Sequence, residues 1–179
     1  MDLRIERTRK NIINAFIELR AKKPLERISI KELSELAFIN KATFYAHYKD
    51  IYDLAEQLEN EAIVSVIRSI PHPDKLRTEP KIGVSELTNA MLSQNQLFSI
   101  LFSGNRAANF ASKIEEALKQ QIYTQFPNQK NDLEQDILLS VLIQGCFHAF
   151  STHSKNDIEK VTAILGNIAD CLVNNYRSI

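Results

Sequence analysis

The chain has 179 residues, of which 44% are hydrophobic and 25% are charged, and its formal net charge is zero. This composition excludes global disorder, which needs few apolar residues and a high net charge, and the apolar runs are too short to cross a bilayer. Because the N-terminus is charged and lacks the apolar core of a signal peptide, we expect a cytoplasmic protein. In that compartment Cys146 and Cys171 are expected to be buried thiols rather than a disulfide.

Basic residues are concentrated at one end of the chain. Residues 1–49 contain 11 Lys and Arg against six Asp and Glu, a net charge of +5, so the remainder carries −5. A basic N-terminal segment followed by an acidic remainder favours a nucleic-acid contact at the N-terminal end.

Apolar residues recur every three or four positions along nearly the whole chain, and no segment alternates as a strand does. We therefore predict an all-α protein. The first helix has an inner face formed by Ile5, Ile12, Phe16 and Leu19. Predicted helices cover residues 3–21, 29–37, 41–48, 51–70, 107–125, 132–152 and 156–176, with two shorter ones between 80 and 102 and a loop over 74–80.

Residues 29–54 have the layout of a helix-turn-helix. Ser29 and Glu32 form a capping-box pattern before the first of its helices, and Asn40 is a favourable N-cap for the second. In that short second helix Phe44 and Tyr48 face inward, and its N-terminal residues are small or able to hydrogen-bond, as insertion into a major groove requires. Asp50 is expected to cap the long helix that follows.

The predicted DNA contacts have distinct roles. Lys41 can donate to guanine, Ala42 can touch a thymine methyl group, and Thr43 can bind a base or a phosphate. Side chains farther along the helix are expected to reach the flanking phosphates, which fix register without reading sequence. The full predicted set is Ser29, Lys31, Asn40, Lys41, Ala42, Thr43, Tyr45, His47 and Lys49.

The segment 41–54, KATFYAHYKDIYDL, resembles the signature of the TetR/AcrR family of transcriptional regulators, and residues 8–19 and 28–37 match that family's first two helices. The resemblance covers about the first 55 residues. It implies a three-helix DNA-binding domain at 1–50, joined through a long fourth helix to an effector-binding and dimerisation domain at 51–179. Two positions depart from the family pattern: Phe38 replaces the glycine of the turn, and Ile51 replaces the lysine that opens the fourth helix.

The same resemblance implies a repressor that binds a near-palindromic operator as a homodimer and is released by a small molecule. Apolar and small residues spaced three or four apart on the last two helices are typical of helix–helix packing, and in the family these helices form the dimer interface. Packing of both stripes within one subunit is the alternative. The predicted interface consists of Leu138, Leu142, Gly145, Ala149, Val161, Leu165, Ile168 and Leu172.

The family's effector cavity lies among the middle helices, and plain core packing is the alternative reading of each candidate there. These candidates are Leu58, Ala62, Leu97, Leu101, Phe102, Phe110, Leu118, Ile122, Gln144 and His148. A second functional hypothesis is a regulator of the same fold that acts through a protein partner, with the apolar cluster at 97–102 as its contact, although a buried helix is the simpler explanation of that cluster. No catalytic, metal-binding or cofactor motif is present in the sequence, so we expect neither an enzyme nor a bound cofactor.

Overall fold

The computed structural model describes residues 3–130, 132–155 and 157–176. In these ranges the chain is helical and contains no strand, which confirms the predicted all-α class. No helix there combines the length and the apolar character that crossing a membrane requires. The helices are α1 Leu3–Arg20, α2 Ile30–Leu36, α3 Lys41–His47, α4 Ile51–Ser69, α5 Lys75–Thr78, α6 Pro80–Ser93, α7 Asn95–Leu101, α8 Ala107–Gln125, α9 Leu133–His153 and α10 Ile158–Tyr176.

The prediction of a loop at 74–80 is wrong in part, because this segment contains the short helix α5, which packs closely against α6 at a glycine. A Cβ atom on Gly83 of α6 would lie 2.4 Å from the backbone nitrogen of Leu76. Glycine therefore lets the two helices approach more closely than any side chain would allow. The predicted last helix begins at residue 156, which lies outside the described residues; α10 begins at Ile158.

The described chain divides into two compact units. The first comprises the described residues of Met1–Ala62 and Gln96–Ala107, and the second those of Ile63–Asn95 and Ala108–Ile179. The first unit thus extends beyond residue 50, the predicted end of the DNA-binding domain. Hydrogen bonds explain this extension, because Arg106 pairs with Glu59 of α4 and Arg9 of α1 pairs with Glu61.

The first unit has an apolar core reinforced by buried charge. Ile12, Phe16 and Leu19 are buried as predicted, whereas Ile5 is 54% exposed, so its assignment to the inner face is wrong: it lies in the first turns of α1, before the buried stretch begins. Arg20 is also buried, and its guanidinium donates to the Ser103 hydroxyl at 2.7 Å.

The cluster at 97–102, predicted as a possible exposed contact, lies largely inside the first unit. Phe98, Leu101 and Phe102 are buried, and the Phe98 and Phe102 rings lie 6.0 Å apart. These three side chains are therefore unavailable to a protein partner, because they are already packed in the core of the first unit.

In the second unit, α10 packs extensively along α6 and also against α9. A small residue again allows close approach, since a Cβ atom on Gly166 would lie 3.3 Å from the Lys81 backbone. Leu142, Ala169 and Val173 form a core cluster there. Cys171, predicted to be buried, is exposed, because α10 turns this position away from the α6 and α9 contacts.

The ion pairs of the first unit yield a stability prediction. We expect Glu59→Gln to lower the free energy of unfolding by about 3 kcal/mol, because Glu59 is fully buried and its loss leaves the Arg106 guanidinium without its carboxylate. The matched control is Glu61→Gln, because Glu61 is exposed and its partner Arg9 is half-buried, and this change should cost less than about 1 kcal/mol. Urea denaturation measures both, and equal effects would contradict the assignment.

Candidate nucleic-acid interface and effector cavity

Local hydrogen bonds place α2 and α3. The Ser29 hydroxyl accepts from the Glu32 amide at 3.2 Å, as the capping pattern predicts. The Glu32 carboxylate instead pairs with Lys23, so the reciprocal half of the box is replaced by an ion pair. At the start of α3 the Asn40 side-chain oxygen accepts from the Thr43 amide at 2.7 Å, which confirms the predicted N-cap.

Aromatic residues anchor α3 from its inner side. Phe44 and Tyr48 are buried, as predicted, and their rings lie 5.7 Å apart. The next helix begins at once, because one Asp50 carboxylate oxygen accepts from the amides of Tyr52 and Asp53 at 2.8 Å. Hydrogen bonds from the Gln57 side chain and the Lys49 amide hold the pKa of Asp53 below its ordinary value. Both ends of α3 are thereby fixed.

The outer side of α3 presents most of the predicted DNA contacts together. Lys41, Ala42 and Tyr45 are exposed, and the Tyr45 ring lies edge-on against Phe44, with centroids 5.6 Å apart. Asn40 and Lys49 are exposed at its two ends, as are Ser29 and Lys31 at the start of α2, while His47 is half-buried. The exposed surface of α3 therefore combines an amine, a methyl group and a phenol.

Thr43, which is predicted to bind a base or a phosphate, takes part in the cap of α3. Its hydroxyl donates to the Asn40 side-chain oxygen at 3.0 Å, so the proton is used within the cap. The hydroxyl oxygen can still accept a hydrogen bond. In this arrangement Thr43 can therefore bind a ligand only where the ligand supplies the donor. Ile51, which stands where the family has a lysine, is buried.

The second unit contains a cavity of about 60 Å³ with an almost wholly apolar wall. The polar groups on the wall are the Thr88 hydroxyl and the Cys146 thiol, and burial raises the pKa of that thiol. The lining residues are Leu76, Val84, Leu87, Thr88, Met91, Ile114, Ile122, Leu139, Leu142, Ile143, Cys146, Phe147, Phe150, Leu165 and Ala169.

The predicted effector residues are not brought together as one set. Leu58, Ala62, Leu97, Leu101 and Phe102 belong to the first unit, and the other five belong to the second. Of the ten, Ile122 is the one found on the cavity wall in the described part of the chain. Leu118 is buried in the core, and Phe110 packs edge-on against Phe147, which lines the cavity.

The two polar candidates have other surroundings. His148 is exposed. Gln144 donates to the Glu115 carboxylate at 2.7 Å, and Ser140 donates to the same carboxylate at 2.6 Å. Hydrogen bonds from Ser140, Gln144 and Lys119 hold the pKa of Glu115 below its ordinary value. Gln144 thus connects α8 to α9 and does not face the cavity.

Nearby on the same two helices, Tyr123 donates to Asp136 at 2.8 Å. Burial and this hydrogen bond raise the pKa of Tyr123 to about 12. Lys119 joins both acidic groups, lying 3.0 Å from Glu115 and 2.8 Å from Asp136. This polar network fixes α9 on α8 and thereby sets which face of α9 lines the cavity.

The predicted interface residues divide between the inside and the outside of the second unit. Leu142 and Leu165 are buried and line the cavity, so in this structure they pack within the subunit. Leu138 is partly buried against the same core. Ile168 and Leu172 are exposed by 48% and 41%, and a Cβ atom on Gly145 would meet open space. Ala149 and Val161 are half-buried.

Sequence reasoning missed further exposed apolar residues on these helices. Ile137 and Val141 of α9 are 54% and 55% exposed, and Ile164 of α10 is 48% exposed. They recur at intervals of four with Gly145 on α9, and with Ile168 and Leu172 on α10. We call Ile137, Val141, Ile164, Ile168 and Leu172 the outer apolar face. Their four-residue spacing was a usable signal, since it places them on one side of each helix.

Comparison with models of protein families, with curated proteins and with solved structures finds no match to this chain. In the described residues, no group of three or more His, Cys, Asp or Glu side chains is placed to hold a metal ion.

The cavity yields a matched pair of leucine substitutions on one helix. Leu142→Ala should lower the free energy of unfolding by about 3 kcal/mol, because it removes buried atoms beside a space that is already empty. Leu133→Ala makes the same chemical change at a residue that is 72% exposed, and should cost less than about 0.5 kcal/mol. Chemical denaturation of both variants tests whether Leu142 lies on the cavity wall. Similar losses of unfolding free energy in the two variants would refute this placement.

Proposed function

We propose that this chain is a DNA-binding transcription regulator of the TetR/AcrR type, in which the described part of residues 1–50 forms the DNA-binding domain and residues 29–54 contain its helix-turn-helix. The observation that carries the proposal is the division of α3 into two sides. Phe44 and Tyr48 are buried, while Lys41, Ala42 and Tyr45 are exposed beside a cap at Asn40. A short helix that is packed against the core on one side and exposed on the other is suited to insertion into a major groove about 12 Å wide.

Charge supports the same assignment. Residues 1–49 carry a net +5 in a chain of zero net charge, and a basic surface attracts the phosphate backbone whatever the base sequence. Lys41 reads guanine in this proposal, and Ala42 reads a thymine methyl group. Tyr45 and Lys49, which are exposed, bind phosphates, and Lys49 replaces the contact that the buried Ile51 cannot make.

The regulator acts as a homodimer through the outer apolar face. Five branched apolar side chains, each between 41% and 55% exposed, recur on two neighbouring helices, and the pairing of two such faces would form a four-helix bundle. A two-fold dimer presents two copies of α3 to successive major grooves, roughly 34–36 Å apart. The operator is then a near-palindrome, and the protein acts in the cytoplasm as a repressor.

An apolar small molecule is the proposed effector. The cavity wall is almost wholly apolar and offers a hydroxyl and a half-buried thiol whose pKa is raised by burial, so an uncharged ligand fits it best. At about 60 Å³ the cavity is smaller than the roughly 150 Å³ that holds a benzene molecule elsewhere. A ligand must therefore displace wall helices to enter, and this displacement is the step that alters DNA binding.

Sensing of a protein partner is the second candidate function, and the outer apolar face is the observation that favours it. The same residues would suit a helix of another protein. Purified protein distinguishes the two candidates. If it is dimeric and its melting temperature rises in a screen of uncharged apolar compounds, the small-molecule candidate holds; a monomer that no compound stabilises favours a protein partner.

Selection of bound duplexes from a random DNA pool tests the proposal directly, and two substitutions on α3 sharpen it. We expect Lys41→Ala to reduce discrimination against wrong bases by about 1–3 kcal/mol, because a base contact is lost. Tyr45→Ala should weaken binding to all duplexes alike, because phosphate contacts carry no sequence information. Quantitative gel shifts measure both. Failure to enrich any duplex, or unchanged footprints in both variants, would refute the proposed interface.

The dimer is tested by one charge on the outer apolar face. Ile168→Asp should convert the protein to monomers, because pairing would bury an unpaired carboxylate, and operator affinity should fall with it. Ile82→Asp is the matched control on α6, at an isoleucine that is 38% exposed and lies outside this face. Sedimentation velocity reports the assembly state, and a dimeric Ile168→Asp protein would contradict the proposed interface.

A further inference from the structure

Phe38, in the turn between α2 and α3, adopts a backbone conformation that disfavours its residue type. Its φ angle is +56°, in the left-handed region. The amide of Phe38 donates to the Glu35 carbonyl at 3.2 Å, and the amide of Ile39 donates to the Ser34 carbonyl at 3.0 Å. These two bonds define a Schellman motif, whose left-handed position is usually glycine because a Cβ atom is strained there.

The Phe38 side chain recovers none of this cost within the chain. It is 91% exposed, more than Leu3 at 81% or Leu133 at 72%. A phenylalanine normally stabilises a protein by burying its ring, and this ring is left in water. Backbone strain of this kind is concentrated at functional positions, so strain and exposure together indicate a contact made with something outside the chain.

The position of Phe38 indicates where that contact lies. Its side chain lines a surface recess together with Arg4 and Thr8 of α1, and with Asn40 and Thr43 at the start of α3. The ring is therefore on the same surface as the end of α3 that enters the major groove in the proposed function. The one apolar group on base edges in that groove is the C5-methyl of thymine.

We propose that Phe38 packs its ring against a thymine methyl group of the operator and is a specificity-determining residue. This inference rests on the proposed DNA-binding function. Ring and methyl group are both exposed before binding, and their contact removes apolar surface from water. Since cytosine and the purines carry no methyl group, the contact selects thymine without a hydrogen bond.

Deoxyuridine tests the contact, because it differs from thymidine by the methyl group alone. The probe is a duplex that the protein itself enriches from a random pool, with each thymine replaced by uracil in turn. The native protein should lose about fourfold in affinity at the thymine facing Phe38, the effect of one buried methyl group. Phe38→Gly should bind the thymine and uracil duplexes equally at that position, while retaining the response of any thymine that Ala42 contacts.

Two further readouts separate recognition from a structural role. Phe38→Gly should raise the melting temperature, because glycine relieves the positive φ, although operator affinity falls. Phe38→Leu keeps apolar atoms in the strained position and should retain part of the thymine preference. The control is Val64→Ala, which shortens a side chain that is 43% exposed on α4. It should change neither the melting temperature nor the operator affinity.

The possible failures are distinguishable. If the native protein enriches no duplex, the proposed function fails and this inference fails with it. If the native protein enriches a duplex and Phe38→Gly keeps the full thymine preference at every position, the role of Phe38 is overturned while DNA binding stands. A loss of affinity in Phe38→Gly that is equal on thymine and uracil duplexes also overturns it.

Discussion

The anchoring of α3 is the constraint on which the rest of this structure depends. A helix of seven residues is not stable by itself in water, since isolated helices shorter than about 12–15 residues are marginal. Here the Asn40 side chain accepts from the Thr43 amide, Asp50 starts the next helix directly after α3, and Phe44 and Tyr48 bury its inner side. Because these three supports use the inner side and the two ends, Lys41, Ala42 and Tyr45 remain available to a ligand.

Local signals made this part of the chain predictable. The caps at Ser29, Asn40 and Asp50 depend on residues two or three positions apart, and the structure contains all three. Burial of Phe44 and Tyr48 follows from the spacing of apolar residues. At Phe38 the sequence showed only that phenylalanine stands where the TetR/AcrR pattern has a glycine, and the φ angle of +56° shows that the turn keeps a left-handed residue there.

The second unit was less predictable, because α9 is apolar on more than one side. Leu142 lines the cavity while the adjacent Val141 is 55% exposed, so periodicity cannot identify the side that faces inward. The cavity wall also depends on α5 and α6, and Leu76 lies in a segment whose prolines and polar residues predicted a loop. Polar bonds from Glu115 to Ser140 and Gln144 orient α9 on α8, and they join residues at least 25 positions apart, beyond the reach of local patterns.

The central claim is that two copies of α3 bind one duplex, and the stoichiometry and salt dependence of the complex test it most directly. Sedimentation equilibrium of the native protein with an enriched duplex should give the mass of that duplex plus two chains. The logarithm of the binding constant should fall linearly with the logarithm of salt concentration, by roughly 0.9 for each phosphate neutralised. A protein that stays monomeric, or whose affinity for duplex DNA is unaffected by salt, would contradict the account.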